Sequence, residues 1–124
     1  MKLINLINAR KVLATYKDER MSTALAYKMM KIIKASDNDE AFYNDKFREL
    51  IGEYGLKDEQ GNIVANGTQI SLAPATAAEC KKKIQELENT EVESPNVRLG
   101  IGELSELRMS MADVAALEEI IEEE

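Results

Sequence analysis

The sequence predicts an α+β fold, mainly α: a long helical hairpin whose two helices are joined by a small β-hairpin, plus a short third strand and a C-terminal helix. Three observations carry this expectation. The apolar content is Leu, Ile, Met and Ala, with aromatics at 5%, no Trp and two Phe, which suits helix-on-helix packing better than a β-sandwich. Apolar residues recur at steps of three and four over most of the first 54 positions, and no Gly or Pro interrupts them before Gly52. Then "EYGLKDEQGNIVANGTQISLAPAT", residues 53–76, inserts two short β-branched runs around Asn66-Gly67 before the helical spacing resumes. A length of 124 residues fits a single domain, 1–124, with one modest core.

Taken in order, the N-terminal helix falls within residues 1–20, where Leu6, Ala9, Leu13 and Tyr16 share a face. "YKDERMS" breaks that pattern, and Ser22 or Thr23 can cap the next helix. Through residues 22–54, Met29, Ile33, Ser36, Glu40, Tyr43, Phe47, Leu50 and Tyr54 draw one narrow stripe, the seam of a helical hairpin or coiled coil. "SDNDE", 36–40, is either a solvated mid-section of one long helix or a break in which Ser36 and Asp39 form a capping box. The spacing favours one helix.

Gly55 directly after Tyr54 suits a position just past a helix C-terminus. Asn66-Gly67 suits a type I′ turn within a β-hairpin over 61–72. Pro74 suits the first position of a second hairpin helix, 74–89, with Ala77, Cys80, Ile84 and Leu87 on its seam. Val97, Leu99 and Ile101 alternate with Arg98, Gly100 and Gly102, which predicts a strand over 97–102 able to extend the hairpin into a three-stranded sheet. Ser110 and Asp113 resemble a capping pair ahead of a helix over 111–123, with Val114, Leu117 and Ile121 as its buried stripe.

Charge is unevenly divided. Residues 1–54 hold ten Lys/Arg against eight Asp/Glu, whereas residues 55–124 hold six against fifteen, so a balance of +2 precedes one of −9 and the net is −7. Such a chain is repelled by a phosphate backbone, and direct nucleic-acid binding is not expected. No apolar run is long enough to span a bilayer and no signal-peptide core is present, so a soluble intracellular protein away from membranes is expected. The single Cys80 has no internal disulfide partner, in keeping with a reducing compartment.

The chemical inventory is short. There is no histidine, which removes the usual general base, the commonest metal ligand and every Ser-His or Cys-His arrangement. Cys80 on a helical seam reads as a small buried hydrophobe rather than a nucleophile. "DEQGN" fails as a calcium loop, because Leu56 occupies the first ligand position and no Glu closes the loop. "GIG" at 100–102 has no third glycine in register and is not a dinucleotide loop. No cofactor, metal or catalytic residue is expected. The glutamates Glu118, Glu119, Glu122, Glu123 and Glu124 read first as a solvated tail, and second as a docking tail for a basic surface. Arg10, Lys11, Lys28, Lys31 and Lys34 read as the wet side of a helix, or as intersubunit partners for that tail. The methionines 21, 29, 30, 109 and 111 read as core filling, with a pliable interface as the alternative.

Narrow seams leave apolar surface that a chain this short does not cover alone, so self-association or a protein partner is expected. The residues carrying that expectation are Met29, Met30, Ile33, Phe47 and Leu50 on the seam, with Glu118 and Glu122 in the tail.

Three pieces of the chain, "RELIGEYGLKDEQGNI", a Pro-started helix ending "QELENTEVE", and "ELRMSMADVAALEEIIEEE", together resemble a family of small phage and prophage proteins of Gram-positive bacteria, itself without an established function. The likeness covers roughly Phe47–Glu124, with a weaker match at Ala26–Lys34. Met111 stands where the family's tail often has Pro, and "SDNDE" is more polar than its usual helix. The resemblance implies a phage-encoded protein in the host bacterial cytoplasm, free or associated with a phage particle, and brings no catalytic residues. Two functions are expected on these grounds: a non-enzymatic protein acting through contacts with a phage or host protein, as assembly factor, small chaperone or adaptor; or an acidic inhibitor of a host defence or nucleic-acid enzyme.

Overall fold

The first helix is apolar around much of its circumference, and the chain folds about it. The structure, a computed structural model, describes residues 1–55, 60, 65–66, 69–70 and 76–122, with 65–66 and 69–70 described through their backbone. Along these run α1 (Leu3–Thr15), α2 (Thr23–Ala35), α3 (Asp37–Tyr54), β1 (Ala65–Asn66), β2 (Gln69–Ile70), α4 (Ala77–Glu88), β3 (Leu99–Gly100), α5 (Ile101–Leu104), α6 (Met111–Ala116), a 3₁₀ turn (Glu118–Ile120) and β4 (Ile121–Glu122). The fold is α+β and mainly helical.

Helix α1 buries Leu3, Leu6, Ile7, Ala9 and Leu13 and packs against α2, α3, α4 and α6. Its two ends serve different cores. Ala9 and Leu13 join Leu25, Met29 and Ile32 of α2 and Leu99, Leu104, Leu107, Leu117 and Ile120 from the C-terminal region. Leu3 and Ile7 join Leu87 of α4, with Tyr43, Phe47 and Leu50 of α3 packed against them. The entry to α1 is tied to the chain leaving α4 by backbone bonds from Leu3 N to the Thr90 carbonyl (2.8 Å) and from Val92 N to the Met1 carbonyl (2.9 Å).

Residues 22–54 are two helices, not the single one that their spacing favoured. The junction is Ser36, whose backbone (φ −101°, ψ 2°) departs from helical values. Its hydroxyl turns back to the carbonyls of Ile32 (2.9 Å) and Ile33 (3.0 Å), so it does not cap α3, and the capping box with Asp39 is not formed. Local composition permits the break, and Arg10 of α1, donating to Ser36 Oγ at 2.8 Å, holds it. "SDNDE" has no apolar side chain to bury across a continuous seam, and its Asp37, Asp39 and Glu40 fall in the first turn of α3, where the helix dipole favours anions. At the start of α2, Ser22 is the cap, accepting from Leu25 N at 3.3 Å.

Helix α3 ends at Tyr54 with Gly55 as its cap, in extended rather than left-handed backbone (φ −64°, ψ 140°). Helix α3 packs on α4, and β1 and β2 between them pair antiparallel, Ala65 with Ile70 and Asn66 with Gln69. Asn66 is therefore a strand residue, not the first residue of the expected turn. Gly67, Pro74 and the "DEQGN" residues other than Gln60 lie outside the described residues.

The C-terminal quarter differs most from its sequence pattern. The strand expected over 97–102 is two residues long, and Ile101 already begins α5. Glu103 drives the change by accepting from Gly100 N at 3.2 Å, which caps the new helix. Nor does β3 extend the hairpin: it pairs in parallel with β4, Leu99 opposite Ile121 and Gly100 opposite Glu122. The helix expected over 111–123 stops at Ala116. Crowded glutamates are unfavourable at a helix C-terminus, and the chain instead tightens into the 3₁₀ turn, buries Leu117 and Ile120 and joins β3. Val114, expected on the buried stripe, faces outward.

Candidate functional site

The turn from β3 into α5, the loop after α5, and α6 are short, and short elements close few of their own apolar faces. Between them lies an open groove of about 580 Å³. Its floor is Leu104 and Leu107, which also belong to the first core. Met109 and Ile121 stand half-buried in it, and among the described residues Glu118 is its one charged lining residue. On its rim Ile101, Met111 and Val114 are 52%, 89% and 43% exposed.

Polar contacts to α1 and α2 hold the groove in shape. Lys28 Nζ lies 2.6 Å from Glu103 Oε1, fastening α5 to α2. Lys28 and the Gly100 amide together hold the Glu103 carboxyl below the ordinary glutamate range. Glu106 accepts from the amide and the hydroxyl of Ser22, both at 2.9 Å, fixing the loop to the start of α2. Ser110 caps α6 by accepting from Asp113 N at 3.1 Å. The Asp113 carboxylate in turn accepts from the Tyr16 hydroxyl just past α1, which raises the Tyr16 pKa. Three acids of this region are thus occupied internally. Among the described residues no cation pairs with Glu118, Glu119 or Glu122, although Glu119 accepts from Asn5 at 3.3 Å.

The residues singled out from the sequence are not brought together in one place. Met29 is a core residue, 4% exposed. Met30 and the half-buried Ile33 line a smaller groove of about 350 Å³ between α1 and α2. Phe47 and Leu50 are half-buried against Leu3, Ile7 and Leu87, with Phe47 stacked on Tyr43 (centroids 5.9 Å apart), so that part of the seam is spent on the chain's own second core. Glu118 edges the large groove, and Glu122 is exposed on β4 opposite Gly100. The basic residues are dispersed. Arg10 turns into the α2–α3 junction, bonding Glu40, Asp37, Ser36 and the Ile33 carbonyl, while Lys28 is taken by Glu103.

The sequence pattern did not single out Ile101, Leu104 and Leu107 as a group. Their spacing of three in "IGELSEL" is the signal of a short amphipathic turn, masked by the alternation that precedes it. Met109 and Met111 were visible as methionines but not as neighbours.

Cys80 is fully buried, and burial first, then the Glu53 carboxylate, pushes its thiol pKa up. Among the described residues no group of three or more His, Cys, Asp or Glu is placed to hold a metal ion, and no helix is long and apolar enough to cross a membrane.

Comparison with protein-family models, with curated proteins and with solved structures returns no match.

Proposed function

We propose that this chain is a non-enzymatic, phage-encoded protein that works through protein–protein contact, as an assembly factor, small chaperone or adaptor, in the host bacterial cytoplasm or on a phage particle. One observation carries the contact reading: half of the exposed large apolar side chains among the described residues, Ile101, Met111 and Val114, converge on the rim of one groove. Single exposed apolar residues are ordinary, whereas convergent ones around a concave apolar floor mark contact sites. The absence of histidine and the buried, protonated character of Cys80 support a non-enzymatic role. The phage assignment rests on the sequence resemblance alone.

Glu118, Glu119 and Glu122, which pair with no cation among the described residues, favour a second reading, an acidic inhibitor of a host defence or nucleic-acid enzyme. They form a short cluster at one end, and Glu103, Glu106 and Asp113 are engaged within the fold, so the two-row array that would imitate a nucleic-acid backbone has few members left.

The test is affinity capture from phage-infected host lysate with tagged wild type and Met111→Asp, identified by mass spectrometry. Met111 is the first residue of α6, where an acid suits the helix dipole, so this variant keeps its fold. Virion proteins held by wild type and lost by M111D are the expected result. A host nuclease or defence protein held through the acidic cluster would favour the second reading. Identical captures by both chains would remove the groove as support.

A further inference from the structure

We propose that the groove of one copy receives the outer face of α2 from a second copy of this chain. The inference rests on the reading of the groove as a protein contact and names its occupant. Helix α2, Thr23–Ala35, contains three lysines and no acid, while residues 101–122 contain six Asp/Glu and one Arg. Each surface thus carries the charge the other lacks, with Glu118 inside the groove and Lys31 and Lys34 on the helix.

The apolar parts match as well. Tyr27, Met30, Lys31 and Lys34 share one face of α2, spaced at i, i+3, i+4 and i+7. Tyr27 and Met30 are 53% and 40% exposed, and Lys31 Nζ lies 5.0 Å over the Tyr27 ring. This is an apolar ridge flanked by cations. The groove is its inverse, an apolar trough with Glu118 at one edge, in the arrangement by which amphipathic helices dock. Tyrosine is a frequent anchor of such contacts, and Met109 and Met111 supply walls that adapt to a ring.

Within one copy the two surfaces cannot meet. The inner face of α2 is locked in the core through Leu25, Met29 and Ile32, and Lys28 is tied to Glu103, so Tyr27 and Lys31 lie on the side away from that core, with Met30 and Lys34 at the edge of the smaller groove beside α1. None of its four residues lines the large groove, and both surfaces remain open on the same molecule. The contact joins two different surfaces, which gives either a closed two-fold dimer with two reciprocal contacts or a head-to-tail assembly.

Molar mass by sedimentation equilibrium on the purified full chain tests this, from low micromolar to about millimolar protein, at low and high salt. Wild type is expected to rise above monomer mass with concentration, less so at high salt. Met111→Asp and the double variant Met30→Glu/Lys31→Glu are each expected to weaken self-association roughly tenfold or more, with unchanged far-UV circular dichroism and melting temperature. Mixing the two variants restores one groove–helix contact per mixed pair, and with it part of the association, because M111D keeps an intact α2 face and M30E/K31E keeps an intact groove. Two results overturn the proposal: a wild type that stays monomeric throughout, or variants that fail singly and are not rescued by mixing, as when groove meets groove. If wild type stays monomeric while M111D still loses captured proteins from lysate, self-docking fails and the contact reading stands. If wild type stays monomeric and both chains capture the same proteins, both fail.

Discussion

Arg10→Met should destabilise the protein more than any exposed charge substitution, because this side chain holds the α2–α3 junction together. The side chain is 12% exposed, and its guanidinium donates from Nε to Glu40 (2.6 Å), from Nη1 to the Ile33 carbonyl (2.7 Å) and Ser36 Oγ (2.8 Å), and from Nη2 to Asp37 (2.9 Å). The four bonds differ in worth. Asp37 and Glu40 have side chains 59% and 37% exposed, so each pairing is screened and contributes at most about 1 kcal/mol. Ser36 is fully buried, Ile33 is half-buried, and charge-assisted bonds to groups so placed contribute about 1.5–3 kcal/mol each at most. Ser36 N and Oγ still reach the Ile33 carbonyl after the substitution, which offsets part of the loss. Methionine also keeps most of the apolar stem. The net loss is about 2–4 kcal/mol, or roughly 10 °C in melting temperature for a domain of this size. Arg10→Lys keeps the charge without the planar fork and should fall between the two. Urea unfolding followed by circular dichroism gives the free energies, and a cycle with Asp37→Asn separates the exposed pair from the internal bonds. A loss below about 1 kcal/mol for R10M, or a lysine variant equal to wild type, would show that the junction is held by helix packing and not by this network.

Two further outcomes rest on single side chains. Glu103 has a folded pKa below its ordinary value of 4.5, so its contribution is present above that value and is lost as pH falls through the folded one. Unfolding free energies measured from neutral to acid pH should show Glu103→Gln less stable than wild type at pH 7, with the gap closing as the pH drops below about 4; a gap independent of pH would mean that Lys28 and Gly100 do not stabilise the carboxylate. The Cys80 thiol, buried and pushed up in pKa, should react with a disulfide reagent at pH 8 roughly a hundredfold more slowly in the native protein than in denaturant. A native rate equal to the denatured one would place the thiol at the surface.

How far the sequence could be read depended on how local each determinant was. Leu6, Ala9 and Leu13 fall on the buried side of α1, Cys80 and Leu87 on that of α4, and Ser22 and Ser110 are caps. Each of those features is decided within a turn or two of helix. The 22–54 stripe was legible as a face, since Met29, Ser36 and Tyr54 are buried and Tyr43, Phe47 and Leu50 half-buried along it. Its break at Ser36 was not, because the decisive partner, Arg10, lies 26 positions away in the chain. The groove was the least legible feature. Its residues are drawn from a run read as strand, a loop, and a helix expected to bury Val114.

By itself, then, the sequence determined that the chain is mainly helical, that Ser22 and Ser110 cap α2 and α6, and that histidine-dependent chemistry is absent, since composition, spacing and capping suffice for these. Only the tertiary structure decided which apolar residues go uncovered. Once Leu99 pairs beside Ile121, and Leu117 and Ile120 turn in toward α1, the last helix must stop short. Ile101, Met111 and Val114 are then left at the surface together. Burial is a property of what packs against a residue, and for these three the deciding pairing joins segments about twenty residues apart.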